Sequence, residues 1–208
     1  MLGVTENLFC VRQNTPWGDY GDMVVHGDIS IDSEPAEVYR TGPHVPALTC
    51  PSVMIVNEIG RVALLEIGLD TSTFSPVEKK RIVYCDWTNW DRTGFPEELN
   101  NLREPEDLVH LGSHDETVSA KVGTLYKVSP PIGVLLRNNS SDVPVSDDGR
   151  WLTAVPGTWS GADVMIGHCP WLGPISQQSM VLITERVVPL FERLGEGFLK
   201  FVPCEWSA

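Results

Sequence analysis

Proline and glycine interrupt this chain so often that no long helix can be written through it. There are 16 prolines and 18 glycines in 208 residues. Each proline removes a backbone donor, and each glycine weakens a helix or strand interior. The chain is therefore expected to fold as many short elements joined by turns. An apolar fraction of 42% and a charged fraction of 21% are ordinary for a globular chain, and neither points to disorder. No linker separates two halves and no internal repeat is visible, so residues 1–208 are expected to form one globular domain.

The clearest local pattern lies at the end, in "ITERVVPLFERLGEGFLKFVPCEW" (183–206). Val187, Leu190, Phe191 and Leu194 recur at helical spacing and mark one apolar stripe, expected to pack on a sheet built by earlier strands. Thr184 is the expected N-cap. Pro189 would break the helix if it began at Thr184, so the helix starts later or is kinked. Gly195 and Gly197 stop it, and "FLKFVP" reads as a closing strand.

Elsewhere, "NLFCV" (7–11), "MVVHGDISI" (23–31), "RIVYCDW" (81–87), "AKVGTLYKV" (120–128), "IGVLLRN" (132–138) and the run in "GADVMIGHCP" read as strands. "NTPWGDYGD" reads as turns, and Asp148–Gly149 is a hairpin-turn signal. "SVMIVNEIGRVALLEIGL" (52–69) reads as a hairpin about "NEIG", with a helix over "RVALLEIGL" as the rival. Ser75, Pro76 and Glu78 suggest a helical turn with a capping box. Residues 95–116 hold one or two short helices, the second ended by Gly112. The expected class is α+β: mostly short antiparallel strands with two to four helices packed on one face.

The net charge of −13 argues against nucleic acid and against anionic membranes as direct partners. The N-terminus has no signal-peptide pattern and no apolar run could span a bilayer, so a cytoplasmic location is expected. Five widely spaced cysteines without a C-x-x-C pair suit reduced, mostly buried thiols.

Motifs for chemistry are weak. His110 and His114 stand four apart beside Asp115 and Glu116, with His168 and Cys169 as distant ligands for a metal site. Gly112 interrupts the spacing, so surface or capping histidines are the plainer reading. "GTWSG" (157–161) sets Ser160 near Asp163 and His168, but it is not the G-x-S-x-G of a nucleophile elbow. No catalytic residue, resident metal or cofactor is expected.

Charge is the informative feature. From Asp86 to Glu116 nine carboxylates face only Arg92 and Arg103, a balance of −7 and more than half the net charge. Trp87, Trp90 and Phe95 lie in the same stretch. Aromatic anchors ringed by one sign of charge suit a protein interface. Asp86, Trp87, Trp90, Asp91, Glu97, Glu98, Glu104, Glu106 and Asp107 are the candidate partner-binding residues. The bland alternative is a solvated acidic face with inward tryptophans. "DYGDMVVHGD" forms a second, weaker acidic patch.

The closing stretch, at Ile183, Thr184, Glu185, Arg186, Val187, Leu194, Gly197, Phe201, Pro203 and Glu205, resembles the tail of certain bacterial polymorphic-toxin immunity proteins; "YRTGPHVP" is loosely similar. The resemblance implies a cytosolic α+β protein, monomeric or homodimeric, that binds and neutralises a toxin without catalysis. A basic, nuclease-like toxin domain would complement the acidic stretch. The rival readings are an assembly subunit of a phage particle or large complex, and a metal-dependent enzyme using His110, His114 and His168.

Overall fold

In the computed structural model, residues 6–138, 152–170 and 180–207 are described. The first strand, β1 (Leu8–Gln13), runs antiparallel between the last two, β12 (Val181–Thr184) and β13 (Leu199–Cys204). β9 (Ile132–Asn138), β10 (Leu152–Ala154) and β11 (Val164–His168) extend this into a six-stranded sheet of order β10-β9-β11-β12-β1-β13, in which only β9 and β11 pair parallel. A three-stranded sheet holds β2 (Asp28–Ser30), β3 (Glu37–Gly42) and β7 (Glu78–Tyr84). A four-stranded sheet joins β4 (Leu48–Thr49), β5 (Ile55–Asn57), β8 (Leu125–Val128) and β6 (Phe74–Pro76).

Side-chain alternation along the strands divides the interior. Val181 and Ile183 face a core shared with Val11, Val56 and Leu64, while Leu182 faces a second core with Leu8, Cys10 and Met165. Both sides of β12 are thus covered, which is why "VLIT" reads as an unbroken apolar run. The four-stranded sheet works the same way. Val56 and Val128 turn to the first core; Ile55 and Leu125 turn to a third, with Val38, Ile82, Val118 and Val122. Cys169 and Cys204 lie in the second core, where burial pushes their thiols up to about 11 and about 12.

The tail follows its sequence pattern. A 3₁₀ turn over Glu185–Val187 precedes the helix Val188–Leu194, so Pro189 falls in the first turn, where its missing N–H costs nothing. The stripe packs on the six-stranded sheet as expected. Thr184 does not cap this helix; its hydroxyl donates to Asp163 Oδ1 instead.

The α+β class holds, while the number and places of helices differ from expectation. Five short α-helices stand among the described residues: α1 (Gly18–Val25), α2 (Glu58–Glu66), α3 (Asp107–Leu111), α4 (Glu116–Val122) and α5 (Val188–Leu194). α1 replaces the turns read in "NTPWGDYGD" and the front of the strand read over 23–31. α2 is the rival helix, not the hairpin: Asn57 accepts from the Gly60 amide at 3.1 Å and caps it. α4, capped by Asp115, takes the first residues of the strand read over 120–128. Ser75, Pro76 and Glu78 lie in strands, so no capping box forms there. Asp148–Gly149 lies outside the described residues.

Three segments meet at His26, which follows α1 and is buried. Its Nδ1 accepts from the Cys50 amide at 3.2 Å, so its Nε2 carries the proton and donates to the Phe198 carbonyl at 3.1 Å. Buried Arg40 lies close by, donating Nη2 to the Val25 carbonyl at 3.0 Å where α1 ends with its negative dipole. Gly27 makes this packing possible: a Cβ there would stand 2.6 Å from that of Arg40.

Burial, and then the Arg40 charge, lower the His26 pKa to about 3 from 6.5. Between those values the unfolded chain binds one proton that the folded chain refuses, so stability falls on acidification, by up to about 1.4 kcal/mol per pH unit from this group. Urea unfolding between pH 7.5 and 4 should show that slope. His26→Leu should flatten it while lowering the plateau near pH 7.5 by about 1–3 kcal/mol for each orphaned backbone group. An unchanged slope in the variant would refute this role.

Candidate functional site

Beyond β7 the chain runs from Cys85 to Glu106 with one 3₁₀ turn, Glu97–Leu99, as its only regular element. Its apolar residues fix its path. Trp87 and Leu99 are buried with Val24, Val25 and Phe198 in a small fourth core, and Leu102 and Leu108 pack on its rim. Most residues between these points face solvent; Pro96 is buried, and Trp90 and Pro105 are partly so.

The carboxylates divide by chemistry. Short aspartate side chains bond to nearby donors and shape the loop. Asp86 accepts from the Thr88 hydroxyl at 2.7 Å, and Asp91 from the Thr93 amide and hydroxyl at 2.8 Å, which hold Asp91 below the usual carboxylate range. Asp107 Oδ2 accepts from the amides of Arg103 at 3.1 Å and Glu104 at 3.2 Å. Glu97, Glu98, Glu104 and Glu106 are exposed, and their carboxylates make no hydrogen bond or ion pair with the described residues. The aspartates build the segment, and the glutamates carry its unbalanced charge outward.

Two acidic stretches, separate in the sequence, meet in space. A cleft of about 370 Å³ is lined by Asp19, Asp22 and Asp28 from the first patch and by Glu104 and Glu106 from the second. Among the described residues no lysine or arginine lines it, and the Lys200 charge acts on Asp22 from outside the wall. Burial pushes the Asp22 carboxyl up against the opposing bond from Thr15. Asp28 Oδ2 pairs with His110 Nε2 at 2.9 Å. Asp86 and Glu98 gather elsewhere, beside Cys85, where their charges add to the burial that pushes its thiol up to about 12.

Trp87 contradicts its assignment as an outward anchor. It is 2% exposed, with Phe198 edge-on at 5.4 Å and His44 at 5.2 Å. An irregular segment must bury its largest apolar group to be held at all, and here that group is Trp87. Trp90 is half-buried, edge-on to Trp17 at 5.3 Å. Phe95 remains 50% exposed, edge-on to Tyr20 at 5.5 Å. Trp17 and Tyr20 belong to the stretch read as turns and were absent from the sequence-derived set. Tyr20 lies in α1, whereas Trp17 precedes it at the N-cap in a left-handed conformation, so no helical spacing marks the two rings together in the sequence.

The other candidates do not assemble. Gly112 ends α3, where a Cβ would stand 2.5 Å from the Leu108 carbonyl, so His110 and His114 are not on one helix. His114 Nδ1 accepts from the Ile82 amide at 3.0 Å, a structural bond. His168 ends β11 in the six-stranded sheet, and among the described residues no three His, Cys, Asp or Glu side chains are placed to hold a metal. Ser160 precedes a strand rather than a helix, and Asp163 is engaged by Thr184 and, at 2.8 Å, by Arg186. A cleft of about 620 Å³ near α2 includes Asp70 and Asp163, both bonded to their own surroundings.

No family model, curated protein or solved structure matches this chain.

The two aromatic environments make a direct test. Trp87→Ala should cost about 3–5 kcal/mol of stability, as a buried indole does. Phe95→Ala should cost at most about 1.5 kcal/mol, the value of one edge-to-face pair. Equal losses in urea unfolding would contradict the placement of these rings.

Proposed function

We propose that this chain is a non-enzymatic, acidic protein-binding module for a basic protein partner. The observation that carries the reading is the cleft where Asp19, Asp22 and Asp28 face Glu104 and Glu106 without a basic residue in the wall. Like charges so gathered repel, and a partner's lysine or arginine relieves that repulsion on binding. The unpaired Glu97 and Glu98 extend the field and speed encounter with a positive surface. Nucleic acid and anionic lipid are repelled by the same field.

A narrower reading is an immunity protein that occludes a cognate toxin's basic surface. It rests on the resemblance of the tail, whose strand, helix, glycine turn and closing strand are β12, α5, Gly195–Gly197 and β13. A cytoplasmic location goes with that reading. Among the described residues no helix is long and apolar enough to cross a membrane. An assembly subunit is the second reading, favoured by Ile59 and Val62, exposed at 70% and 44% on the outward side of α2.

Affinity capture from the producing cells, with cross-linking, separates these readings. The wild-type chain should retain a basic protein that elutes with salt. Changing Glu97, Glu98, Glu104 and Glu106 together to Gln should weaken that pairing at least about fourfold, since each exposed pair contributes about 0.2–1 kcal/mol. Retention unchanged by salt and by the four substitutions would overturn the reading. Large homo-oligomers by native mass would favour the assembly subunit.

A further inference from the structure

Four aromatic rings gather where α1 meets the loop that carries the acidic charge. Trp17 sits at the N-terminus of α1 with φ 72°, a left-handed conformation that costs a bulky residue about 1–2 kcal/mol. It is held there by its Nε1 bond to the Asp91 carbonyl at 2.9 Å and by the edge-on contact with Trp90. One turn further on, Tyr20 donates its hydroxyl to the Arg103 carbonyl at 3.2 Å and takes Phe95 edge-on. Two edge-to-face pairs therefore join this part of the chain to the loop before Pro96: Trp17, at the N-cap of α1, with Trp90, and Tyr20, within α1, with Phe95. Phe95 is half-exposed, while Trp17, Tyr20 and Trp90 pack against the fourth core and keep a smaller part of each ring at the surface beside it.

Carboxylates border these rings in the chain itself: Asp19 lies between Trp17 and Tyr20, Asp91 follows Trp90, and Glu97 and Glu98 follow Phe95. Of the two cations in the loop, Arg92 lies over the Phe198 ring at 4.6 Å and Arg103 is exposed. The segment thus already uses a guanidinium on an aromatic face, and Arg92 is engaged away from the two ring pairs.

We propose that Trp17, Tyr20, Trp90 and Phe95 form an aromatic platform that takes arginine side chains of a basic protein segment. The inference rests on the protein-binding reading and names what is bound. A guanidinium stacks flat on a ring while its N–H groups still reach carboxylates at the ring's edge; a lysine ammonium, compact and strongly hydrated, does this less well. The surrounding negative charge disfavours the stacked bases of single-stranded nucleic acid, the other common occupant of aromatic platforms.

The test uses the full chain, with oligo-arginine and oligo-lysine peptides of equal length and an oligo-thymidine strand, at physiological salt. The arginine peptide should bind about three- to tenfold more tightly than the lysine peptide and should change the tryptophan fluorescence. Phe95→Leu should erase that preference while leaving lysine-peptide binding and its salt dependence intact, and Phe95→Tyr should restore it. Equal binding of both peptides, indifferent to Phe95→Leu, would overturn the platform and leave the acidic cleft standing. No binding of either peptide would overturn both readings. Preferential binding of the oligo-thymidine would replace the protein partner with nucleic acid.

Discussion

The pairing of β1 with both β12 and β13 is the constraint on which the rest depends. Residues 8–13 lie opposite residues 204–199, and on their other side Leu8, Phe9 and Cys10 face Thr184, Ile183 and Leu182. Two of the most distant segments of the chain thus pair at one end of the six-stranded sheet. Closing so long a loop is entropically costly and only weakly more so with each added residue. The cost is offset because both faces of these strands are covered. Val11 enters one core and Leu8 and Cys10 enter another, so a single pairing event organises two apolar interiors.

The same closure positions the acidic segment. Phe198 immediately precedes β13, and its carbonyl accepts from both the Asn14 amide at 2.9 Å and His26 Nε2. Its ring lies in the fourth core, edge-on to Trp87, with Arg92 across its face. Val24 and Val25 of α1 complete that core. One residue at the start of the last strand therefore ties the large sheet to α1 and to the loop that carries the charge. The terminal segment is a structural clasp, and its influence on any partner passes through Phe198 and Trp87.

The tail was legible in the sequence because periodicity, glycine stops and the offset of Pro189 all agreed on one answer. β1, β9 and β11 were legible for a similar reason, as short apolar runs bounded by turn residues. α1 was not: Gly18, Gly21 and two aspartates mimic a turn, and the helix forms because Val24, Val25 and Tyr20 find a core supplied by residues some 60 or more positions away. α2 was misjudged because β-branched residues in "IVNEIGRVALL" suit either state, and the Asn57 cap decided it. At the site, composition identified the charge, but not the union of the two acidic patches. That union is tertiary, made by α1 and β2 meeting residues 104–106. The burial of Trp87 was equally invisible, since a tryptophan among acids can anchor a partner or anchor its own loop.

That last ambiguity has a physical resolution. A segment of this length with so little regular structure, crowded with like charges, is driven apart by its own field. Something apolar must hold it, and the two tryptophans are the largest candidates. Trp87 is committed wholly to that task, and Trp90 half so, against Trp17. The aspartates add local bonds that fix the turns without reaching across the surface. What remains unspent is carried by the four glutamates and by the open faces of the aromatic rim. A surface built this way is preorganised in its backbone, because the groups it presents are carried by a loop that buried groups hold.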